Sequence, residues 1–281
     1  MRLASLLMGP ILLISVGNAE ASESENVKFH AAVVPPTAFK LRLAKERGET
    51  IAPEPTTELS GELFRPLGAG PFPAIVWLHS CLGRLHDDEP RIADQFVSQG
   101  YAVLFVDSFA PRGIKRACAP NNYVAVDRLS DAVGALDYLA TREFIRSDRI
   151  AVIGTGLGGG AALAAVRDGA VEALSERRFA AAVAYYPVCA DDTFIAPTLV
   201  LVGELDEITP ARRCRQMIAA QTEKGSRTRL AVYTGAYHWF NQRRAANKPE
   251  MYQGHRTEYS ATADEAALRD ISEFLRQHVG R

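Results

Sequence analysis

The sequence lacks an excess of charge of either sign. Lys and Arg number 32 and Asp and Glu number 33, which gives a formal net charge of -1 at pH 7. The charges are mixed along the chain, without the run of like charge that binds nucleic acid or anionic lipid. We therefore expect no nucleic-acid partner and expect ligands that are small or neutral.

The sequence also lacks an apolar run long enough to span a bilayer. The longest, from Leu3 to Val16, follows Met1 and Arg2 and falls short of the roughly 20 residues of a spanning helix. The small residues around Ala19 to Ala21 are typical of a signal-peptidase site. We interpret residues 1–21 as a cleaved signal peptide rather than an anchor, and expect an exported protein, periplasmic or secreted, without membrane association after cleavage.

Cysteine is scarce. Cys81, Cys118, Cys189 and Cys214 are the four in the chain, and an even number in an exported protein favours two disulfides over buried free thiols. Four cysteines allow three pairings. We favour Cys81 with Cys118 and Cys189 with Cys214, because each pair would link loops on the same rim of the fold.

Internal repeats and low-complexity segments are absent from the 281 residues, of which 47% are hydrophobic. This length and composition suit one domain with one large core. Residues 22–55 are polar and contain several prolines, so we interpret them as a leader that can add an edge strand but carries no periodic core pattern. Residues 56–281 form the predicted domain.

Short β-rich runs and helical stretches alternate along the domain. The predicted strands are Ala74–His79, Ala102–Asp107, Ile150–Gly154, Ala181–Tyr186, Thr198–Gly203 and Leu230–Tyr233. The predicted helices are Glu89–Gln99, Val124–Thr141, Gly158–Arg167, Pro210–Lys224 and Asp264–His278. This order predicts an α/β fold with a mostly parallel central sheet, helices on both faces, and ligands beyond the carboxyl ends of the strands.

One strand runs directly into a glycine-rich turn, from Ile150 to Gly160. In many hydrolases such a turn reads G-x-S-x-G, and its strained central residue presents a nucleophile at the start of a helix. Gly154 and Gly158 take the two outer positions, but Gly156 stands at the centre. The side chain of the nucleophile is therefore missing.

An acid and a base follow this turn in the order expected for such a fold. Asp206 comes just after the strand Thr198–Gly203, and His238 lies in the loop after the strand that ends at Tyr233. A carboxylate in this place can hold an imidazole in one tautomer and orientation. The two residues are our candidate relay.

These features resemble the dienelactone hydrolase family of α/β hydrolases, over roughly residues 58–280. The resemblance is carried by the turn, by Gly203-Glu-Leu-Asp-Glu-Ile-Thr-Pro210, by the segment ending Gly-Ala-Tyr-His238, and by Asp107-Ser-Phe-Ala-Pro-Arg-Gly113. It implies the α/β-hydrolase fold, a small ester or lactone as substrate, and no cofactor. It also implies that a Cys or Ser nucleophile is served by Asp206 and His238, with the backbone N–H groups of Cys81 and Leu157 as oxyanion donors.

Other residues allow other interpretations. Gly154, Gly156 and Gly159 also match the dinucleotide fingerprint G-x-G-x-x-G, but two strand–helix units precede them, whereas the fingerprint belongs to the first. Thr155 is expected to pack rather than to react, and Arg112 could contact an acidic substrate or form an ion pair. The histidines His79, His86 and His255 lack metal-ligand spacing, so no metal is expected.

Two hypotheses for function share this fold. In the first, the protein has lost acyl-enzyme chemistry at Gly156 and keeps the pocket as a binding site or a remnant. In the second, His238 oriented by Asp206 activates water directly against a labile ester or lactone, and Gly156 leaves space for that water. The sequence does not indicate an oligomeric state.

Overall fold

The fold is organised around one large β-sheet. The protein is represented by a computed structural model, which describes residues 22–51, 56–119, 122–221, 228–246 and 248–280. Its strands are β1 (Ser22–His30), β2 (Glu58–Pro66), β3 (Phe72–Leu78), β4 (Ala102–Asp107), β5 (Cys118–Ala119), β6 (Asn122–Tyr123), β7 (Ile145–Thr155), β8 (Ala181–Tyr185), β9 (Thr198–Gly203), β10 (Thr228–Tyr233), β11 (Glu250–Tyr252) and β12 (His255–Thr257). Its helices are α1 (Ala38–Arg47), α2 (Glu89–Val97), α3 (Arg128–Ala140), α4 (Leu157–Ala164), α5 (Ala211–Ala220) and α6 (Ala261–His278).

Eight strands form the central sheet in the order β1-β2-β4-β3-β7-β8-β9-β10. The strands from β4 to β10 are parallel, and β2 pairs antiparallel with both β4 and β1. Buried side chains of α3, α4 and α5 pack on one face, and those of α2 and α6 pack on the other. This arrangement confirms the predicted mostly parallel sheet with helices on both faces. The sequence could predict it because strands buried on both sides are almost continuously apolar.

Every predicted element has a counterpart in the structure, and most of them differ from it at their ends. Each of the six predicted strands lies within or overlaps one strand of the sheet, and the five predicted helices overlap α2 to α6. The helix predicted from Val124 begins instead at Arg128, because the side chain of Asp127 accepts the backbone N–H of Ser130 at 3.1 Å and caps the helix there. The helix α1 was not predicted, nor were the strands β2, β5, β6, β11 and β12.

The leader segment contributes more to the core than its composition indicates. The edge strand that the sequence allows is present as β1, but Val27 and Phe29 are buried on one side of it. The ring of Phe29 lies 5.3 Å from that of Tyr138 on α3. The expectation of no core pattern in this segment was therefore wrong for β1, where two apolar residues at a spacing of two suffice to bury one face.

The signal peptide predicted for residues 1–21 lies outside the described residues. Within the described residues, no helix combines the length and apolar character needed to cross a membrane.

Two disulfides link segments that follow strands of the central sheet. Cys81, after β3, is bonded to Cys118 in the short β5–β6 hairpin, and Cys189, after β8, is bonded to Cys214 on α5. Both pairings are those favoured from the sequence. Each bond closes a loop that carries residues of the candidate site, so the disulfides restrict the same rim that the fold uses for ligands.

We expect the purified protein to contain no free thiol. Alkylation under denaturing conditions without reduction should leave its mass unchanged, whereas alkylation after reduction should add four alkyl groups. Reduction should also lower the melting temperature, because each closed loop of this length contributes about 3–4 kcal/mol of stability. Four alkylated cysteines in the unreduced protein would contradict the pairing.

Candidate active site

The glycine-rich turn has the backbone shape of a nucleophile elbow. Strand β7 ends at Thr155, helix α4 begins at Leu157, and Gly156 between them has φ 55° and ψ -114°. The N–H of Gly156 donates to the carbonyl of Tyr185 at 3.0 Å. A positive φ is costly for a residue with a Cβ and is easily adopted by glycine. The elbow conformation is thus retained without its strain.

The neighbouring glycines allow α4 to lie directly on the sheet. A Cβ on Gly154 would lie 2.0 Å from the carbonyl oxygen of Gly158, and one on Gly158 would lie 2.2 Å from that of Leu78. A Cβ on Gly159 would lie 2.8 Å from the carbonyl oxygen of Tyr185. This close approach accounts for Gly154, Gly158 and Gly159 by packing, so two of the three glycines that match the dinucleotide fingerprint, Gly154 and Gly159, have a structural explanation.

Position 156 differs from these three glycines because it has room for a side chain. A Cβ built there would lie 3.6 Å from the Cβ of Ser80 and 3.7 Å from Cε2 of Tyr186, which are ordinary contact distances. Gly156 is therefore not required by packing. The space at position 156 is bordered by Ser80, which carries a hydroxyl, and by the ring of Tyr186.

Asp206 and His238 form a buried hydrogen-bonded pair. The distance between Nδ1 of His238 and Oδ2 of Asp206 is 2.7 Å, and the two residues are only 3% and 5% exposed. The carboxylate can accept only from a protonated Nδ1, so Nε2 of a neutral His238 is left as the basic nitrogen. This is the arrangement in which an imidazole can take a proton from a nucleophile or a water molecule.

The carboxylate of Asp206 is held by more than the histidine. Its Oδ1 accepts the backbone N–H groups of Ile208 and Thr209 at 2.9 and 2.8 Å, and its Oδ2 accepts the Thr209 hydroxyl at 2.8 Å. Burial by itself would raise the pKa of Asp206, but its hydrogen bond with His238, the charge of His238 and the bonds from Thr209 together hold that pKa below its usual value. Sequence reasoning did not assign a role to Thr209, although it lies in the segment that carries the family resemblance.

Tyr186 is a second residue that the sequence analysis did not assign. Its ring lies 4.4 Å from the ring of His238, and its hydroxyl donates to Oδ1 of Asn241 at 2.6 Å. Tyr186 has φ 37°, and Trp239, next to the histidine, has φ 66°. Non-glycine residues in this region are strained and concentrate at functional sites. The one sequence signal for Tyr186 is its place directly after β8.

Cys81 and Leu157 lie in one small apolar cluster beside the elbow, together with Phe109, Ala117 and Cys118. Leu157 is the first residue of α4, where backbone N–H groups lack partners within the helix. The positions implied for the two oxyanion donors are thus neighbours in the fold. Their role in catalysis stays a prediction.

His79 fixes the backbone that precedes Cys81. Its Nδ1 lies 2.7 Å from the carbonyl oxygen of Ser80, and its Nε2 accepts the backbone N–H of Ser108 at 3.2 Å. Burial, and secondly the charge of Arg128, hold the pKa of His79 well below its usual value. The ring is therefore neutral with its proton on Nδ1, which donates to Ser80, and His79 is a structural residue rather than a metal ligand.

A pocket of about 210 Å³ opens beside the first turn of α4. It is lined mainly by apolar side chains, among them Phe109, Val126, Leu129 and Leu157, and by the buried Arg128. The guanidinium of Arg128 lies over the ring of Phe109 at 5.4 Å. The sequence analysis did not select Arg128, because a lone arginine at a helix start carries no pattern.

The remaining candidates from the sequence have structural partners. Arg112 donates to both carboxylate oxygens of Asp131, at 3.0 and 2.7 Å, which makes it an ion-pair residue. Thr155 is buried. His255 lies 2.9 Å from Glu207 on the surface. His86 meets Glu62 and Glu89, but Arg84 hydrogen-bonds to both of these carboxylates and so already supplies the positive charge.

Sheet order, elbow, acid and base together define an α/β hydrolase. The family model described as the dienelactone hydrolase family matches residues 59–279. The chain belongs to this family.

Relatives and solved structures agree with this assignment. A curated protein of a Bradyrhizobium species, named "probable 2-oxo-3-(5-oxofuran-2-ylidene)propanoate lactonase", is 23% identical over 239 residues, covering 77% of this chain and 88% of that protein. Dienelactone hydrolase from Anabaena variabilis has 19% identity and a TM-score of 0.58, over 92% of this chain and 99% of that chain. A dienelactone hydrolase-like promiscuous phosphotriesterase from metagenomic libraries has 18% identity and a TM-score of 0.64 over the same shares, 92% and 99%.

Alanine at position 156 should destabilise the protein although it fits. We expect Gly156→Ala to lower the free energy of unfolding by about 1–3 kcal/mol, because φ 55° is costly for any residue with a Cβ. Urea unfolding of the two proteins measures the difference.

Gly160 offers the matched control. It lies inside α4, and a Cβ there would meet no heavy atom within 4 Å. Gly160→Ala should therefore stabilise the protein by about 0.5–1 kcal/mol. A Gly156→Ala variant as stable as Gly160→Ala would mean that the turn does not hold this backbone conformation.

The free energy of unfolding should depend on pH because of the buried carboxylate of Asp206. Because the pKa of Asp206 is lowered in the folded protein, its ionised form stabilises the fold above the unfolded value of about 3.9, and this stability is lost as pH falls through the folded value. Asp206→Asn should therefore be less stable than the native protein at pH 7, and the difference should shrink below about pH 4. Urea unfolding at pH 7 and pH 3 tests this, with the exposed Asp148→Asn as the control.

Proposed function

We propose that the protein is a catalytically impaired hydrolase of small esters or lactones that works without a covalent intermediate. The observation that carries the proposal is the intact Asp206–His238 pair together with a turn that keeps the elbow conformation but has glycine at its centre. The ring of Tyr186 links the two, because it lies 4.4 Å from the ring of His238 and 3.7 Å from the place of a Cβ on residue 156. The acyl-enzyme route needs a side-chain nucleophile, and Gly156 has none. Water activated by His238 is the nucleophile that remains.

The reaction needs only groups that are present. A water molecule attacks the carbonyl carbon and gives one proton to Nε2 of His238, while Asp206 holds the resulting imidazolium through Nδ1. The backbone N–H groups of Cys81 and Leu157 are proposed to stabilise the oxyanion. Collapse of the tetrahedral intermediate breaks the bond to the alkoxy oxygen, which takes the proton back from His238.

The pocket beside α4 suits a small substrate. Its volume of about 210 Å³ suits a compact molecule, and its apolar lining surrounds the buried guanidinium of Arg128. The curated relative is named for a lactone that is also a carboxylate, and we propose a substrate of that kind for this chain.

The proposal includes the place where the protein works. We propose that residues 1–21 are a signal peptide and that the protein is periplasmic or secreted. The two disulfides support this, because such bonds persist in oxidising compartments and are rare in the cytosol.

A second candidate function is binding without turnover. Gly156 itself favours it, because loss of a nucleophile from such a relay commonly removes several orders of magnitude of rate. Under this alternative the pocket still takes the ester or lactone, and the Asp206–His238 pair is inherited geometry. Turnover that depends on His238 separates the two.

The native protein should hydrolyse p-nitrophenyl acetate slowly, with no burst of p-nitrophenol, and His238→Ala should reduce that rate to the buffer background. The reason is that a water molecule at Gly156 forms no acyl-enzyme, yet still needs a base. Stopped-flow and steady-state absorbance measure both quantities. Equal rates for the native protein and His238→Ala would exclude His238-dependent hydrolysis and favour the binding function.

Restoring the hydroxyl should restore covalent catalysis. We expect Gly156→Ser to raise kcat at least about a hundredfold and to show a burst, because a serine Cβ has room there and the relay is in place. Gly156→Ala controls for the added strain without an oxygen. Equal inactivity of folded serine and alanine variants would mean that the relay or the oxyanion site no longer works.

A further inference from the structure

Ser80 is the hydroxyl-bearing residue that faces the turn at Gly156. It follows β3, is 3% exposed, and its Cβ lies 3.6 Å from the place where a Cβ on residue 156 would be. A hydroxyl is one bond away from the Cβ. The Ser80 side chain therefore borders the space beside Gly156.

The Ser80 side chain and backbone are held in one arrangement. Its Oγ accepts the backbone N–H of Leu82 at 3.2 Å, which fixes the side-chain torsion. Its carbonyl accepts from Nδ1 of His79 at 2.7 Å and from the N–H of Gly83 at 3.2 Å. A group fixed before the substrate arrives does not have to be ordered during the reaction, which is what preorganised catalytic groups require.

Water can also reach the neighbourhood of Ser80. A cavity of about 30 Å³ is lined by Ser80 together with the polar residues His79, Thr155, Asn241 and Gln242. This exceeds the roughly 10–15 Å³ needed for one water molecule, and its lining offers several hydrogen-bonding groups. Ser80 thus borders both this cavity and the space at Gly156.

We propose that the Ser80 hydroxyl holds the attacking water beside Gly156. This inference rests on the proposed hydrolysis by His238. One O–H of the water donates to Nε2 of His238, and the second donates to Oγ of Ser80, which has a lone pair left after accepting from Leu82. The water oxygen then keeps a lone pair for the carbonyl carbon. In this arrangement Ser80 and His238 together replace a side chain at position 156.

The kinetic test compares Ser80→Ala, Ser80→Thr and the native protein on p-nitrophenyl acetate. We expect Ser80→Ala to lower kcat by about tenfold, the effect of one hydrogen bond to the attacking water, and to leave KM within about twofold. Ser80→Thr keeps the hydroxyl and should retain more of the rate than Ser80→Ala. Melting curves show whether each variant folds.

Ser272→Ala is the matched control. Ser272 is a half-buried serine on α6 that hydrogen-bonds to Gln99 at 3.0 Å, on the far side of the sheet from α4. Its substitution should leave kcat and KM unchanged. A loss in Ser272→Ala equal to that in Ser80→Ala would assign the effect to general destabilisation and overturn the inference.

Three further outcomes would overturn it. Full kcat in a folded Ser80→Ala variant, with turnover still lost in His238→Ala, would overturn the role of Ser80 and leave the proposed function standing. An acetyl group on Ser80, found by mass spectrometry after rapid quenching, would show that Ser80 attacks the ester itself instead of holding water. Equal rates for His238→Ala and the native protein would contradict both the inference and the proposed function. The rate of His238→Ala therefore distinguishes failure of the proposed function from failure of the role of Ser80 alone.

Discussion

The site depends on the close approach of α4 to the sheet. Backbone meets backbone there, since a Cβ on Gly158 would lie only 2.2 Å from the carbonyl oxygen of Leu78. This contact sets where Leu157 and position 156 lie relative to the ends of β3 and β8. Ser80 comes two residues after the end of β3 and Tyr186 comes directly after β8, and both border position 156 for this reason.

The second constraint is the burial of charge. Asp206 is 3% exposed, and an isolated carboxylate so buried would be protonated or strongly destabilising. Two backbone N–H groups, the Thr209 hydroxyl and His238 compensate it. A network of this kind is sensitive to the loss of any member, because the others are then left buried without partners. The hydrogen bonds that position Asp206 and His238 therefore also contribute to the stability of the fold.

Neither of these two constraints requires glycine at position 156. Packing requires glycine at positions 154, 158 and 159, but not at 156. The backbone there still has the positive φ of an elbow, because the surrounding hydrogen bonds, including the one from Gly156 to Tyr185, define it. The elbow is thus a property of the whole turn rather than of its central side chain. A binding function and direct hydrolysis by water both fit such a turn.

The sequence by itself determined the alternation of strands and helices, the glycine turn, and the order of Asp206 and His238, because these are local patterns. It favoured one disulfide pairing of the three that are possible, because parallel strands end at one edge, and the structure has that pairing. It missed β1 as part of the core, where only Val27 and Phe29 mark the buried face. Only the tertiary structure decided that Thr209 and Tyr186 support the relay, that Arg112 is taken by Asp131, and that Ser80 faces Gly156. Those contacts join residues from separate loops, and their distances depend on how strands of different length end at the rim and how closely α4 packs against them.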